Sequence, residues 1–419
     1  MTFTLGRKIY TSRNSCRVCH NSEMVPLFSL GDHYVNGFPK PGEEPVGIVP
    51  IDIEYCPKCT LVQQKHTPSP EILYTGHYWY RSGTTTTMFN ALANIVEDVQ
   101  GLVELEQDDM VLDIGSNDGT LLRFYPEDVF KVGVEPANNM IEEGQEGIDL
   151  LICDLWSRKI FKQFTEDYGG KAKVITAIGM FYDLEDPNQF IKDVADSLTD
   201  EGLFVAQLMC LQNMLKTNDV GNFAHEHLEF YSFKSLEFLF YKNGLEIFDV
   251  LTNDINGESY RLYARKINAN VQGRDGAAER IQKVRDAEKL DDAIGHYKSM
   301  FDRMESTRIE TVDLLKRLRD EGKSVWIYGA STKGNTILQY YGIGRELIAG
   351  AADKSKEKVG RRTVGTDIPI CSESFARNRN PDYFLVLPYA FIDEFIEREK
   401  HWRDGGGRFI VPLPTLRIV

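Results

Sequence analysis

The sequence predicts an α/β protein in three parts, on three observations. Short apolar runs alternate with amphipathic stretches over residues 108–266 and again over residues 324–419, the pattern of parallel strands joined by helices. Residues 1–70 are short on helical periodicity and carry four of the seven cysteines as two tight pairs. Between the two α/β units, residues 276–321 are rich in Arg, Lys, Asp and Glu and read as solvated helices, with a stop at Gly322.

The elements follow in order. A helix is expected over 84–99. Strands are expected at 110–114, 131–134, 174–178 and 203–208 in the first unit, and at 325–328, 347–351, 383–386 and 408–411 in the second. The domains expected are a metal-binding domain over 1–70, a cofactor-binding domain with its preceding helical segment over 71–270, and a helical linker with a Rossmann-like domain over 271–419. A length of 419 residues suits two or three domains, at roughly 150 residues each.

Composition excludes several roles. A formal net charge of -15 disfavours nucleic acid as a partner, because phosphate binding needs a basic face. It disfavours a membrane surface for the same reason. No apolar run is long enough to span a bilayer, and residues 1–10 are mixed and polar, unlike a signal peptide. Seven cysteines, an odd number with only four in pairs, do not make a secreted disulfide framework. The expectation is a cytoplasmic protein with a small-molecule partner.

Cys16-Arg17-Val18-Cys19 and Cys56-Pro57-Lys58-Cys59 are two CxxC turns. Each turn aims two thiolates at one point, and two turns close a tetrahedron. This is the layout of a structural zinc site with no open position for catalysis. A redox CxxC sits at a helix start after a strand and normally occurs once. His20 and His33 are neighbouring alternatives, but the cysteines already complete the site.

Val111-Leu112-Asp113-Ile114-Gly115-Ser116-Asn117-Asp118-Gly119 follows an apolar strand and precedes a helical run. Gly115 and Gly119 let the backbone turn tightly and approach a ligand. The spacing is not GxGxxG, and no Lys-Ser/Thr closes it as in a P-loop. Asn117 and Asp118 at the tip suit a zwitterionic amino-acid ligand better than a pyrophosphate. Glu135 ends the next strand, where a carboxylate can accept both hydroxyls of a ribose. Asp154, after the apolar 150–153, can reach an adenine amino group. Loop and acid together resemble motif I and the second-strand acid of class I SAM methyltransferases. A nicotinamide site shares the strand, the turn and the acid, but the glycine spacing favours SAM. The candidate cofactor contacts are Asp113, Gly115, Asn117, Asp118, Gly119, Glu135 and Asp154.

His225-Glu226-His227 is the densest acid/base group in the chain. Histidine is the side chain best matched to proton transfer near neutral pH, and a neighbouring carboxylate can orient it. An HxH metal pair and a solvated loop are the competing readings.

Four features now stand in order: the CxxC pairs, Tyr78-Trp79-Tyr80-Arg81-Ser82-Gly83, the glycine loop, and HEH. The series resembles the sugar C-methyltransferases that act on nucleotide-linked keto-deoxysugars. The resemblance continues through Tyr328-Gly329-Ala330-Ser331-Thr332-Lys333-Gly334-Asn335 and the run 365–370, so it covers nearly the whole chain. It implies a class I SAM domain flanked by a zinc domain and a C-terminal Rossmann-like domain, with SAM and structural zinc bound. It implies that a base removes the proton beside a ketone and that the enolate carbon is methylated. Carried over, His227 is the base, with Glu226 as its partner or a substrate contact. A tyrosine, Tyr78 or Tyr80, enters the site, His225 is a further candidate, and Lys333 and Asn335 face the substrate. Two positions depart from the family: Ala224 stands where a tyrosine is common, and Gly179-Met180-Phe181-Tyr182-Asp183 lacks a histidine often found there. O- or N-methylation, or SAM or sugar-nucleotide binding without catalysis, are the rival functions.

Overall fold

The structure is a computed structural model and describes residues 9–75, 77–255, 258–288 and 290–419. Residues 1–8 of the N-terminal stretch assessed for a signal peptide lie outside the described residues.

The N-terminal part contains strands β1 (Tyr10–Ser12), β2 (Val25–Tyr34), β3 (Ile48–Tyr55), β4 (Val62–Gln64) and β5 (His66–Pro68). Val49, Ile51, Ile53 and Tyr55 alternate along β3 and are all buried, the period-two pattern of a half-buried strand. The first CxxC turn precedes β2, and the second joins β3 to β4. The antiparallel sheet β2-β3-β4 is extended by β11 (Glu229–Phe230), a strand that follows the HEH run. The zinc-domain sheet and the HEH segment are therefore one hydrogen-bonded body.

The middle sheet holds β6 (Met110–Ile114), β7 (Phe130–Val134), β8 (Leu150–Ile152), β9 (Ala172–Ile178), β10 (Leu198–Met209), β12 (Leu245–Asn253) and β13 (Ser259–Lys266), in the order β12-β13-β10-β9-β6-β7-β8. β6 to β10 are parallel, and β13 is inserted antiparallel beside β10. The four strands expected here are present. The closing pair β12–β13 was not legible, because its polar residues are buried in ion pairs rather than turned to water. Arg261 of β13, almost wholly buried, reaches Asp98 on the helix Thr86–Gln100. That helix matches the one expected over 84–99, and Thr85 caps it by accepting from the Met88 amide.

The charged stretch forms two helices, Ala277–Ala287 and Ala293–Asp320. The second is only half solvated. Tyr297, Met300, Met304, Thr307, Thr311, Leu314 and Leu318 recur every three or four residues and are buried on one face. It runs from the zinc-domain sheet, where Phe301 stacks on Phe28 and Tyr297 meets Tyr55, to the C-terminal sheet. Its charges cover the outer face and hid the buried stripe from a composition-based reading.

The C-terminal sheet has the order β16-β15-β14-β17-β18-β19, from β14 (Val325–Tyr328), β15 (Ala351–Asp353), β16 (Ile370–Ser372), β17 (Tyr383–Val386), β18 (Arg408–Val411) and β19 (Arg417–Ile418). The first five are parallel and β19 is antiparallel. The strand expected over 347–351 is displaced: Leu347 and Ile348 are a buried approach, and pairing starts at Ala351.

Asp249 on β12 is fully buried and holds the guanidinium groups of Arg274 and Arg280, which tie the helix Ala277–Ala287 to the middle sheet. Asp249→Ala should lower stability by about 2–3 kcal/mol in a denaturant melt. That is below the roughly 3–5 kcal/mol of a wholly buried pair, because both arginines can rehydrate.

Candidate active site and metal centre

A cavity of about 290 Å³ opens at the C-terminal ends of β6, β7, β9 and β10. This is where ligands bind in open parallel sheets. Its walls come from the middle and C-terminal parts: the turn after β6, Glu135, Leu155 and Trp156, the loop after β9, Glu226 and His227, the tyrosine segment, and Thr332 and Lys333 of the C-terminal part.

On the cofactor side, Asp113, Gly115, Ser116, Asn117 and Glu135 line the cavity. Gly115 has a φ of 73°, and a Cβ there would sit 3.0 Å from Met180 Cγ. The buried Ser116 hydroxyl has no partner among the described residues. Each oxygen of Glu135 accepts one amide, from Asn117 at 2.9 Å and Ala137 at 2.8 Å. A carboxylate oxygen has a second lone pair, so both remain open to hydroxyl donors. Burial raises the Glu135 carboxyl, and pushes Asp113 up to about 7 against the opposing bond from the Thr176 hydroxyl. This cradle, with its bare Gly115 backbone, its orphaned hydroxyl and its acid, fits a SAM-sized ligand.

The polar tip also bonds the tyrosine segment, and Asn117 lines the cavity as well. Asn117 accepts from the Ser82 amide and donates to the Tyr80 carbonyl. Asp118 accepts from the amides of Gly83 and Thr120 and does not line the cavity. Gly119 has a φ of 74° and lies behind the turn, where a Cβ would stand 2.7 Å from the Gly144 carbonyl. Asp154 is exposed and caps Leu155, while Leu155 and Trp156 form that wall. The tip therefore clamps the tyrosine segment onto the loop.

On the opposite side, Tyr74, Tyr78, Tyr80, Tyr182, Asp183, Glu226, His227 and Lys333 share the cavity. His227 Nδ1 lies 2.7 Å from the Asn222 carbonyl oxygen. A carbonyl only accepts, so the proton sits on Nδ1 and Nε2 carries the free lone pair. Burial and the nearby Lys333 charge push His227 down to about 3. Burial pushes Glu226 up to about 7, with Lys333 opposing. Asp183 is driven well above the carboxylate range by burial and by Glu226 and Glu229, and its buried Oδ1 has no hydrogen-bond partner among the described residues. Burial in turn lowers Lys333.

Of the two expected tyrosines, Tyr78 is the more deeply set. Asn139 holds its backbone through two bonds, and burial followed by Glu226 and Asp183 raises its phenol. Tyr80 is 44% exposed. His225 is fully turned away: its Nε2 lies 2.9 Å from the Val49 carbonyl, beside His33. Asn335 is buried and donates to the Gly37 carbonyl, and it does not line the cavity. Tyr74 and Trp156 escaped the sequence reading, because nothing local distinguishes them from core aromatics. Asp183 was visible only as a departure from the family.

In the N-terminal part, the sulfurs of Cys16, Cys19, Cys56 and Cys59 all lie within 4.8 Å of one another. The pairs Cys16–Cys59 and Cys19–Cys56 are each 3.4 Å apart. Four thiolates at about 2.3 Å from one zinc stand about 3.8 Å apart, so the cluster fits the ion. His20 and His33 are not among this group.

The strand order, the glycine turn and the acid after the second strand define a SAM-dependent methyltransferase, and the comparisons with known proteins agree. A methyltransferase-domain model matches residues 86–250, one described as a zinc-binding domain matches 16–74, and one described as a C-methyltransferase C-terminal domain matches 254–414. The C-methyltransferase NovU of Streptomyces niveus is 29% identical over 97% of both chains. The three models follow one another along the chain, which is a SAM-dependent methyltransferase similar over nearly its whole length to that C-methyltransferase. Among solved structures, a S-adenosylmethionine-dependent methyltransferase from Clostridium acetobutylicum is 13% identical, with a TM-score of 0.32 over 44% of this chain and 92% of that one. The magnesium protoporphyrin IX methyltransferase of Synechocystis with bound SAH is 13% identical, with a TM-score of 0.33 over 43% and 83%. Among the described residues, no helix is long and apolar enough to cross a membrane.

Metal analysis of the purified protein should find about one zinc per chain, held by four thiolates. Cys16→Ser should release the metal to a chelator and lower the melting temperature while SAM affinity stays near wild type. A zinc-free native protein with four freely reactive thiols would contradict the assignment.

Proposed function

We propose that the enzyme methylates the carbon next to a ketone in a nucleotide-linked deoxysugar, with His227 as the base that generates the enolate. The observation that carries this reading is the His227 ring. It is neutral, its proton is fixed on Nδ1 by the Asn222 carbonyl, and its free nitrogen belongs to a residue of the same cavity as Gly115 and Glu135. O- or N-methylation removes no carbon-bound proton, so exchange of that proton separates it from this reading.

Bound SAM supplies an electrophilic methyl group. Gly115 and Asp113 would border its amino-acid end, and Glu135 would take the ribose hydroxyls. Asn117 and Asp118 hold the segment 80–83 over this side, and with Gly119 they keep the turn in shape. Exposed Asp154 is the weakest of the proposed contacts. The chain's own residues then have three tasks: to hold the acceptor, to exclude water and to move one proton. Tyr78, half-buried beside Glu226 and Asp183, stays protonated and can donate to the developing enolate oxygen, as can Lys333. Lys333 and Thr332 stand at the N-terminus of the helix Thr332–Tyr341, a setting that suits a nucleotide phosphate. Asn335 would support that end through Gly37, and His225 would hold the HEH turn against β3. Tyr80 would cover the cofactor side.

Glu226 is the one competitor with a specific observation behind it, because its carboxyl titrates near the pH of the reaction. The two are separable by pH. His227, pushed down to about 3, stays unprotonated throughout the range above pH 5, so it contributes no limb there. Glu226, pushed up to about 7, loses its charge as pH falls through 7. The wild-type rate should fall to a lower plateau on the acid side near pH 7, and Glu226→Gln should flatten that limb at the lower plateau while retaining proton exchange. His227→Asn should cost ~10²–10⁴-fold in turnover and abolish exchange of the acceptor's carbon-bound proton in heavy water, with SAM affinity unchanged. Retained exchange in His227→Asn, or its loss in Glu226→Gln, would transfer the role to the carboxylate.

The cofactor assignment has its own test by calorimetry. Gly115→Val should abolish SAM binding, because a valine at a φ of 73° is strained and its Cβ is forced towards Met180. Glu135→Ala should weaken it by about 1.5–3 kcal/mol, the worth of a hydrogen-bond pair to a charged group. Wild-type affinity in both variants would place SAM elsewhere.

A further inference from the structure

We infer that Arg17, between the first two zinc-ligand cysteines, is a positioning residue for the catalytic loops, and that through it the zinc knuckle sets the geometry of the base. The inference rests on reading His227 as that base.

Arg17 is fully buried, which is rare for arginine, and its guanidinium meets the supports of two separate loops. Nη1 donates to the Gln64 carbonyl and Nη2 to the Thr67 hydroxyl. Nε and Nη2 both reach Glu185 Oε2, at 3.3 and 3.2 Å. Nε also lies 3.6 Å from Glu229 Oε1, and both side chains are wholly buried.

Each partner holds a piece of the cavity wall. Gln64, whose carbonyl Arg17 fixes, donates from its side-chain amide to the carbonyls of Ala224 and His227, at 2.6 and 2.8 Å. Its backbone amide bonds Leu228. Gln64 therefore grips both ends of the turn that carries Glu226 and His227. On the other side, Glu229 accepts from the Leu184 amide. Glu185 is held a second time by Arg13. These two fix the segment that bears Tyr182 and Asp183. The loops are also joined directly, since the Tyr182 carbonyl accepts from Leu228 and Glu229.

The backbone of the knuckle is secured as well. The Arg17 amide donates to Gln63, and the carbonyls of Arg17 and Val18 accept from Asn188. A residue that served only to neutralise Glu229 would need one contact. Arg17 uses its whole planar fork, which lysine cannot reproduce.

The test is Arg17→Lys, which keeps the charge and loses the fork, together with Arg17→Met/Glu229→Gln, which removes the charge from both partners. Arg17→Lys should retain one zinc and wild-type SAM affinity. With a nucleotide-diphosphate 4-keto-6-deoxysugar as the acceptor probe, kcat and proton exchange in heavy water should fall together by ~10–100-fold, the usual loss for an outer-shell partner, at unchanged KM. An acceptor-independent readout accompanies this: nitrogen NMR of labelled histidines. His227 should show one Nδ1-protonated form in the wild type and a mixture of tautomers in Arg17→Lys. The double variant should recover the melting temperature but not kcat. Wild-type kcat with unmoved His227 signals in Arg17→Lys, or kcat restored in the double variant, would reduce Arg17 to charge compensation. Loss of zinc or SAM binding in Arg17→Lys would reduce it to a folding residue. Tautomer mixing with unchanged kcat would leave the positioning intact and overturn His227 as the base.

Discussion

Lys333, Glu226, Asp183 and His227 act on one another's charge at the place where all three parts of the chain meet. Each alone would be costly to bury. Burial drives the two carboxyls up, and the lysine and the imidazole down. Such shifts express how strongly each charged form is disfavoured without water. The arrangement persists because the groups come from rigid elements of different units and cannot relax away from one another. Lysine opposes the carboxylates' shifts and deepens that of the histidine. The mutual placement of the parts thus fixes the shifts that these four groups show.

Those interfaces are built from buried, directional contacts. Arg17 and Gln64 join the zinc-domain sheet to the HEH turn, and β11 completes that sheet with residues from the middle unit. Asn117 and Asp118 join the glycine loop to the segment 80–83. The outer face of that segment is held by Arg81 to Glu143 and Glu357. Exposed pairs of this kind contribute only about 0–1 kcal/mol each, so the inner bonds set the position of the wall. The exposed pairs add direction at low salt and little else.

What the sequence made legible was local chemistry. Two CxxC turns, a glycine turn after an apolar strand and an acid after the next strand are fixed by spacing, and each is recognisable without knowing the fold. Asn117 and Asp118 were harder, because a polar residue beside a glycine turn can face a ligand or a neighbouring segment with equal ease. Only the path of residues 80–83 decides between them. Tyr182 and Asp183 owe their place in the cavity to the way the loop after β9 is drawn back by Glu229, a residue more than forty positions later. The helix Ala293–Asp320 was misjudged in its degree of burial, since its charges report the outer face and its apolar stripe is interleaved with them.

The HEH run shows most directly where local reading stops. His225 and His227 are two residues apart, and residue type alone does not separate them as candidate bases. The His227 amide donates back to the Ala224 carbonyl, closing a turn with His225 and Glu226 at its corners. That turn sends His225 towards Val49 of the zinc-domain sheet and brings His227 over the cavity, with Asn222 fixing its tautomer. Which way the turn faces is decided by Gln64, whose amide takes the carbonyls at both ends of it. Ala224 is wholly buried at this contact. The residue that distinguishes the two histidines therefore lies 160 positions before the turn it orients, in a different unit, and its side chain carries no signature of catalysis.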